Sequence, residues 1–314
     1  MYAVFGANGF MGRQVVARLA AEGLPVRAVS RRFDAGFEAE FAGRADIVKA
    51  DLRDPFACLA ALGGVTRVLQ LVSSSSPALQ NDYVEQDILE NVIPQVRFAR
   101  DCLGAGVERL VFVSSGGTVY GPPRYTPIDE AHPTEPLNSH GVTKLMTEKY
   151  LGMLGATRGL DAVVLRVANP FGPTQGFRKG QGLIPAILEK HRRGEPVPVY
   201  GDGSARRDFV YVEDVVDAIR AALDRPEAKG AVVNVGSGVA RSVDEVIAAI
   251  EARLGVAIAR QHLPARATDV AVSVLAITLA RDLLGWTPRT PFGTAMDLTL
   301  AGQIGAGQGA GQGG

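Results

Sequence analysis

The sequence predicts an α/β protein: a doubly wound parallel sheet with a smaller, interleaved C-terminal substrate-binding lobe. Three observations lead there. Short apolar or β-branched runs alternate with helix-length amphipathic segments through the first two thirds of the chain, the rhythm of parallel βαβ units. A glycine-rich turn follows the first run directly. Pro- and Gly-rich stretches at Asn169–Gly182 and Gly201–Ser204 follow later runs, as loops at the carboxyl edge of such a sheet do.

The strands, in order, are Tyr2–Phe5, Val26–Val29, Ile47–Val48, Val68–Val72, Leu110–Val113, Ala162–Val167 and Val232–Val235. Helical periodicity marks Arg13–Glu22, Tyr83–Leu103, Ser139–Leu154, Leu183–Arg192, Asp214–Ala222 and Val243–Leu254. At 314 residues the chain exceeds one average core, so two unequal lobes are expected. The divisions are a dinucleotide-binding domain at 1–168, rejoined by 208–238, and a lobe made of 169–207 and 239–300. A Gly/Gln/Ala tail from residue 301 to 314 buries too little apolar area to offset its ordering entropy, and disorder is expected there.

Composition narrows the function classes. The 33 basic residues balance the 33 acidic ones, so no global field gathers nucleic acid or anionic membrane. Cys58 and Cys102 are the two cysteines, without CxxC or Cys/His spacing, which argues against a disulfide framework and against a metal site. No basic leader precedes the first apolar run and no run nears 18 apolar residues, so a cytoplasmic protein is expected.

Gly6-Ala7-Asn8-Gly9-Phe10-Met11-Gly12 stands between the first strand and the first helix, the context of a Rossmann dinucleotide turn. The glycines permit a tight turn and close backbone approach to a pyrophosphate, and the helix N-terminus offers free N–H groups. The GxxGxxG spacing differs from the GxGxxG of the dehydrogenase fingerprint. The second strand ends Val29-Ser30-Arg31-Arg32, with no acid until Asp34. An acid at that point selects NAD, whereas Ser30 and Arg31 suit the 2′-phosphate of NADP, so the cofactor is NAD with NADP open as the alternative. Asp51 and Leu52, after the third strand, are placed beside the adenine, and Val72, closing the fourth, joins the cofactor set.

Three further motifs carry a family resemblance: Val113-Ser114-Ser115-Gly116-Gly117-Thr118-Val119-Tyr120-Gly121, Asn138-Ser139-His140-Gly141-Val142-Thr143-Lys144, and Arg166-Val167-Ala168-Asn169-Pro170-Phe171-Gly172-Pro173. The chain resembles the NAD-dependent epimerase/dehydratase family of extended short-chain dehydrogenases/reductases, and within it the UDP-glucose 4-epimerase group, in order to about Leu300. In that family a Tyr and a Lys separated by three residues work together. The Lys holds the nicotinamide ribose, and the Tyr takes the sugar hydroxyl proton during hydride transfer. Here Lys144 is present but His140 stands at the Tyr position. The Ser or Thr that assists lies four residues before the Tyr of the VYG element, and that position is Gly116. Ser115 or Thr118 would have to supply the hydroxyl. A neutral imidazole beside Lys144 can still act as a base.

The resemblance extends to the substrate end. Gly201-Asp202-Gly203 followed by Arg206-Arg207-Asp208 matches the element whose Arg grips the nucleotide diphosphate, a role that falls to Arg207. Arg266 and Asp269 match an Arg-x-x-Asp that meets phosphate and uridine ribose, and Asn169 is a third diphosphate contact. Gly116-Gly117 offers no acid of the kind dehydratases use, which leaves 4-epimerisation of a UDP-hexose through a 4-keto intermediate. NADP-dependent keto-sugar reduction and catalytically impaired nucleotide-sugar binding stay open. Family members pair through the helices corresponding to Tyr83–Leu103 and Ser139–Leu154, so a homodimer is expected.

Overall fold

A computed structural model of the chain describes residues 1–75, 83–177, 182–265 and 270–309, and side chains as far as residue 303. The elements run β1 (Tyr2–Phe5), α1 (Phe10–Ala21), β2 (Val26–Ser30), α2 (Ala35–Phe41), β3 (Asp46–Lys49), α3 (Pro55–Ala61) and β4 (Arg67–Gln70). There follow α4 (Val84–Asp87), a π-helical turn (Ile88–Val92), α5 (Ile93–Gly104), β5 (Arg109–Ser115), α6 (Ser139–Arg158) and β6 (Ala162–Val167). The second half holds β7 (Asn169–Phe171), α7 (Leu183–Arg192), β8 (Val197–Tyr200), β9 (Arg206–Tyr211), α8 (Val212–Asp224), β10 (Val232–Val235), β11 (Ala240–Ser242) and α9 (Val243–Leu254). Last come β12 (Arg260–Leu263), β13 (Val272–Ser273), α10 (Thr278–Leu284) and α11 (Phe292–Gly309).

Seven strands form one parallel sheet in the order β10-β6-β5-β4-β1-β2-β3. Successive residues of its strands enter different cores, because side chains alternate across a strand. Val4, Ala28, Leu69, Val111 and Val163 pack with α1, α8 and α10, whereas Phe5, Val29, Val68, Leu110 and Phe112 pack with α3, α5 and α6. The strand order reverses between β1 and β4, so a ligand crevice opens at the carboxyl ends of those strands.

The smaller lobe has its own core, with Phe171, Ile184, Ile187, Val199, Phe209, Ile250 and Met296 among its buried residues. β10 joins the edge of the large sheet, but β9, expected to open that return at 208, belongs to a four-stranded sheet with β7, β11 and β13. Its register explains the difference: Phe209 and Tyr211 turn into the lobe's core while Val210 turns to the large sheet's helices. Asp214 moors the lobes together. Its carboxylate accepts from the Arg289 and Thr290 N–H groups, each at 3.1 Å, and its carbonyl accepts from Trp286 Nε1 at 2.8 Å.

Other differences have local causes. The helix expected at Tyr83–Leu103 is broken into α4 and α5 by the π turn, with Pro94 in the first turn of α5. The Asn169–Gly182 stretch is not all loop, because β7 pairs with β9. The tail expected to be disordered from 301 continues α11 to Gly309, where Gln303 Nε2 donates to the Pro173 and Gln175 carbonyls at 2.9 and 2.8 Å. Residues 310–314 lie outside the described residues.

Candidate active site

The β1–α1 turn is a cradle shaped by absent side chains. Gly6 has φ +89°, and its backbone lies against Leu71 and Val72 at the end of β4. A Cβ on Gly12 would overlap the Gly6 carbonyl and stand 2.8 Å from Ala7 Cα, so only glycine lets α1 close on the turn. Gly9 caps α1 without a side-chain hydrogen bond, which leaves the first N–H groups of the helix to a ligand. Asn8 Oδ1 is buried without a partner beside them. Phe10 and Met11 send their side chains into the lobe core, so only their backbone can serve a cofactor. An uncapped helix N-terminus and a turn too tight for Cβ atoms fit a dinucleotide pyrophosphate.

At the adenosine end, Arg31 and Arg32 are exposed after β2. Asp34 turns away to cap α2, accepting from the Phe37 N–H at 2.7 Å. Asp51 is held by the Arg53 guanidinium at 2.8 Å, which keeps its carboxyl below the usual range, and Leu52 is buried. Val72 donates its N–H to Gln70 Oε1 and accepts from Gln95 Nε2, both at 2.8 Å, which fixes the end of β4.

Asn138 starts α6 by accepting from the Gly141 N–H at 2.8 Å, and Asp87 anchors the first turn through Ser139 Oγ at 2.5 Å. Asp87 also accepts from Ser75 Oγ and Asn91 Nδ2, so one carboxylate joins three segments. Its role has no motif to announce it. His140 and Lys144 then lie one turn apart on the face turned to the sheet. Lys144 Nζ donates to the Val113 carbonyl at 2.8 Å and lies 4.7 Å from the Phe112 ring centroid. Burial lowers its pKa to about 8. His140 is pushed down to about 3, first by burial and then by Lys144, against a backbone hydrogen bond with Ser75. Its imidazole is neutral at physiological pH, with Nδ1 buried and unpartnered.

Thr118 Oγ1 is likewise buried without a partner. Its backbone passes under the start of α6, where a Cβ on Gly141 would stand 2.7 Å from the Thr118 carbonyl. Ser115 closes β5 half-buried, its hydroxyl in no hydrogen bond among the described residues. Position 116 is closed: a Cβ there would meet Leu275 Cδ1 at 2.6 Å and the Arg166 carbonyl at 2.9 Å.

Tyr120 of the VYG element is structural. It is 1% exposed, donates to Asn234 Oδ1 at 2.7 Å, accepts from Arg166 Nη1 at 3.0 Å, and is pushed up to about 12 by burial. Arg166 pairs with Glu148 at 2.6 Å, both almost fully buried, and Glu148 also accepts from Ser114 Oγ. The chain Ser114–Glu148–Arg166–Tyr120–Asn234 thus ties β5, α6, β6 and β10 beneath the crevice.

Arg207, on β9, donates to the Arg206 and Val270 carbonyls at 2.9 and 2.7 Å. Arg206 pairs with Glu245 at 2.8 Å on the surface. Asn169 Nδ2 donates to the Asp208 carbonyl at 2.8 Å. Arg266 and Asp269 lie outside the described residues. Among the described residues no cluster of metal-ligating groups occurs, and no helix is long and apolar enough to cross a membrane.

The family model for NAD dependent epimerases/dehydratases matches residues 2–236. A UDP-glucose 4-epimerase of Mycolicibacterium smegmatis is 34% identical over 308 residues, which cover 95% of this chain and 96% of that one. A UDP-glucose 4-epimerase of Thermotoga maritima, solved with UDP-glucose, superposes with TM-score 0.90 at 28% identity, over 98% of this chain and 99% of that chain. The Thermus thermophilus UDP-glucose 4-epimerase solved with NAD superposes with TM-score 0.89 at 30% identity, over 97% and 99% of the two chains. Sheet order, glycine cradle and match across nearly the whole length agree: the chain belongs to the NAD dependent epimerase/dehydratase family.

Proposed function

We propose that this protein is a nucleotide-sugar 4-epimerase that keeps NAD bound and acts on a UDP-hexose, with His140 in the place of the usual tyrosine. The observation that carries this reading is the pairing on α6: Lys144 and His140, both withdrawn from water, beside an unpartnered Thr118 hydroxyl. The family match, and the relatives solved with UDP-glucose and with NAD, support the substrate class and cofactor.

Gly6, Asn8, Gly9 and Gly12, with the Phe10 and Met11 backbone, would hold the pyrophosphate, and Asp51, Leu52 and Val72 would line the adenosine side. When bound, NAD would supply hydride-transfer chemistry at C4 of the sugar. Lys144 positions the nicotinamide ribose and supplies positive charge below pH about 8. His140 Nδ1 takes the C4 hydroxyl proton, directly or through one water, and gives it back on the return step. Thr118, with Ser115 at the end of β5, orients that hydroxyl. Arg207 and Asn169, with Arg266 and Asp269, hold the nucleotide diphosphate. A base held so far below its ordinary value accepts protons poorly, and slow turnover is expected.

Replacing His140 by Tyr tests the assignment. Turnover of UDP-galactose is expected to rise tenfold or more with KM little changed, since a positioned acid–base group contributes about 10²–10⁴-fold. An unchanged rate rejects position 140 as the limit on chemistry.

A second reading, an NADP-dependent keto-sugar reductase, is favoured by one arrangement: Arg31 is exposed after β2 while Asp34 is committed to α2 and Asp51 to Arg53. We further propose a homodimer through α4–α5 and α6, where Leu89, Ile93, Val142, Tyr150 and Met153 are exposed. Light scattering that shows a monomer at micromolar concentration rejects it. Two buried free thiols accord with a reducing, cytoplasmic setting.

A further inference from the structure

The loop after β7 is held from two sides. Thr174 Oγ1 accepts from Gln14 Nε2, on α1, at 2.9 Å, while the Pro173 and Gln175 carbonyls accept from Gln303 Nε2, on α11, at 2.9 and 2.8 Å. Between these anchors the loop closes on itself. The Gln175 N–H donates to the Gly172 carbonyl at 3.3 Å, and Gln175 Nε2 donates to the Pro170 carbonyl at 3.1 Å. Gly172 lies against the start of α1, where a Cβ would stand 3.4 Å from the Phe10 ring and 2.5 Å from Val212 Cγ1. Gly302 meets the loop as closely from the α11 side, since a Cβ there would overlap Pro173 Cβ at 2.4 Å. Earlier in α11, Met296 belongs to the same core as Phe10 and Met11.

Phe10 and Met11 open the helix whose first N–H groups are left to a ligand, so whatever fixes the start of α1 fixes the pyrophosphate site. We infer that the end of α11 is a latch for the bound dinucleotide: Gln303, acting through the loop at 173–175, is a positioning residue that holds the start of α1 in place and slows cofactor release. The inference rests on the retained-NAD part of the proposed function and on no part of the sugar chemistry. One amide nitrogen serving two carbonyls uses both of its N–H donors, which an apolar side chain of the same size cannot do. Glycine at 302 serves the same contact, because it lets the helix approach Pro173. A chain end of Gly, Gln and Ala thereby acquires a task that its low apolar content does not suggest.

Exchange of bound NAD for deuterated NAD in the intact holoprotein tests it, read by mass spectrometry of the dinucleotide that stays with the protein on gel filtration. Gln303→Leu removes the donors at similar size, Thr174→Val removes the acceptor on the α1 side, and Gln303→Lys restores a donor. Expected is roughly fivefold faster exchange in Gln303→Leu and in Thr174→Val, the scale of one or two lost hydrogen bonds. Gln303→Lys is expected to fall between Gln303→Leu and wild type, and the Leu/Val double variant to be no faster than the quicker single, because both break one bridge. Arg253→Met is the control for a merely loosened helix: it frees α11 from α9 by removing the contacts with Asp297 and the Gly293 carbonyl, and is expected to exchange at the wild-type rate. Either single variant exchanging at the wild-type rate overturns the latch, as does Arg253→Met exchanging as fast as Gln303→Leu. Wild type that exchanges its dinucleotide within the mixing time overturns the latch and retained NAD together.

Discussion

Leu275 occupies the space a side chain at Gly116 would need: its Cδ1 lies 2.6 Å from the site of a Cβ there, and the Arg166 carbonyl closes the other side at 2.9 Å. The glycine at this position is a packing requirement of β5 and of the strand-like segment after β13. Installing a hydroxyl alone cannot restore the family's arrangement, because it needs the space Leu275 fills. Gly116→Ser is expected to lower stability by about 1–3 kcal/mol through overpacking. Gly116→Ser with Leu275→Ala is expected to lose less than the sum of the two single changes, and denaturant unfolding of all four proteins measures the coupling.

The Glu148–Arg166 pair lies below the crevice with both side chains almost fully buried. Glu148→Ala leaves the Arg166 guanidinium uncompensated and is expected to cost about 3–5 kcal/mol. Replacing both, Glu148→Leu with Arg166→Met, is expected to restore most of that loss, because the desolvation of two charges is removed together. Additive losses in urea unfolding would contradict the pairing.

His140 predicts how stability depends on pH. Its pKa of about 3 in the folded protein lies below the 6.5 of a free histidine, so the unfolded chain binds the proton more tightly. The contribution is complete above about 6.5 and is lost as pH falls toward 3. His140→Gln is expected to unfold with a flatter pH dependence between pH 6.5 and 4, with a few kcal/mol of the wild-type slope removed. Parallel curves for the two proteins would show that the imidazole is not held neutral.

Gly12→Ala is expected to abolish retained cofactor, since the new Cβ stands 2.8 Å from Ala7 Cα where α1 closes on the turn. The measurement is dinucleotide released per chain after denaturation. A variant that keeps its full complement would contradict the role of the cradle.

The large sheet was legible because its strands announce themselves by apolar runs and its first turn by glycine. The short helices α2 and α3 escaped periodicity, yet Asp34 and Asp54 accept from their first N–H groups and Pro55 opens α3, signals a capping search could use. β7, β9, β11 and β13 were harder, because pairings of two or three residues between distant segments leave no period in the sequence. At the site, His140, Lys144 and Gly116 stood at positions the motifs single out. The reasons behind them, Leu275 against Gly116 and Val113 beneath Lys144, are tertiary contacts that spacing cannot reveal. Tyr120 carries the same lesson: it belongs to a motif beside the chemistry but serves the buried network.

The most direct test of the central claim joins cofactor identity to turnover in one preparation. The purified protein is denatured and its released dinucleotide identified by mass spectrometry, while intact protein is incubated with UDP-glucose and with UDP-galactose. Retained NAD and slow interconversion of the two sugars without added cofactor are expected. Retained NADP, or NAD with no interconversion over long incubation, would contradict it.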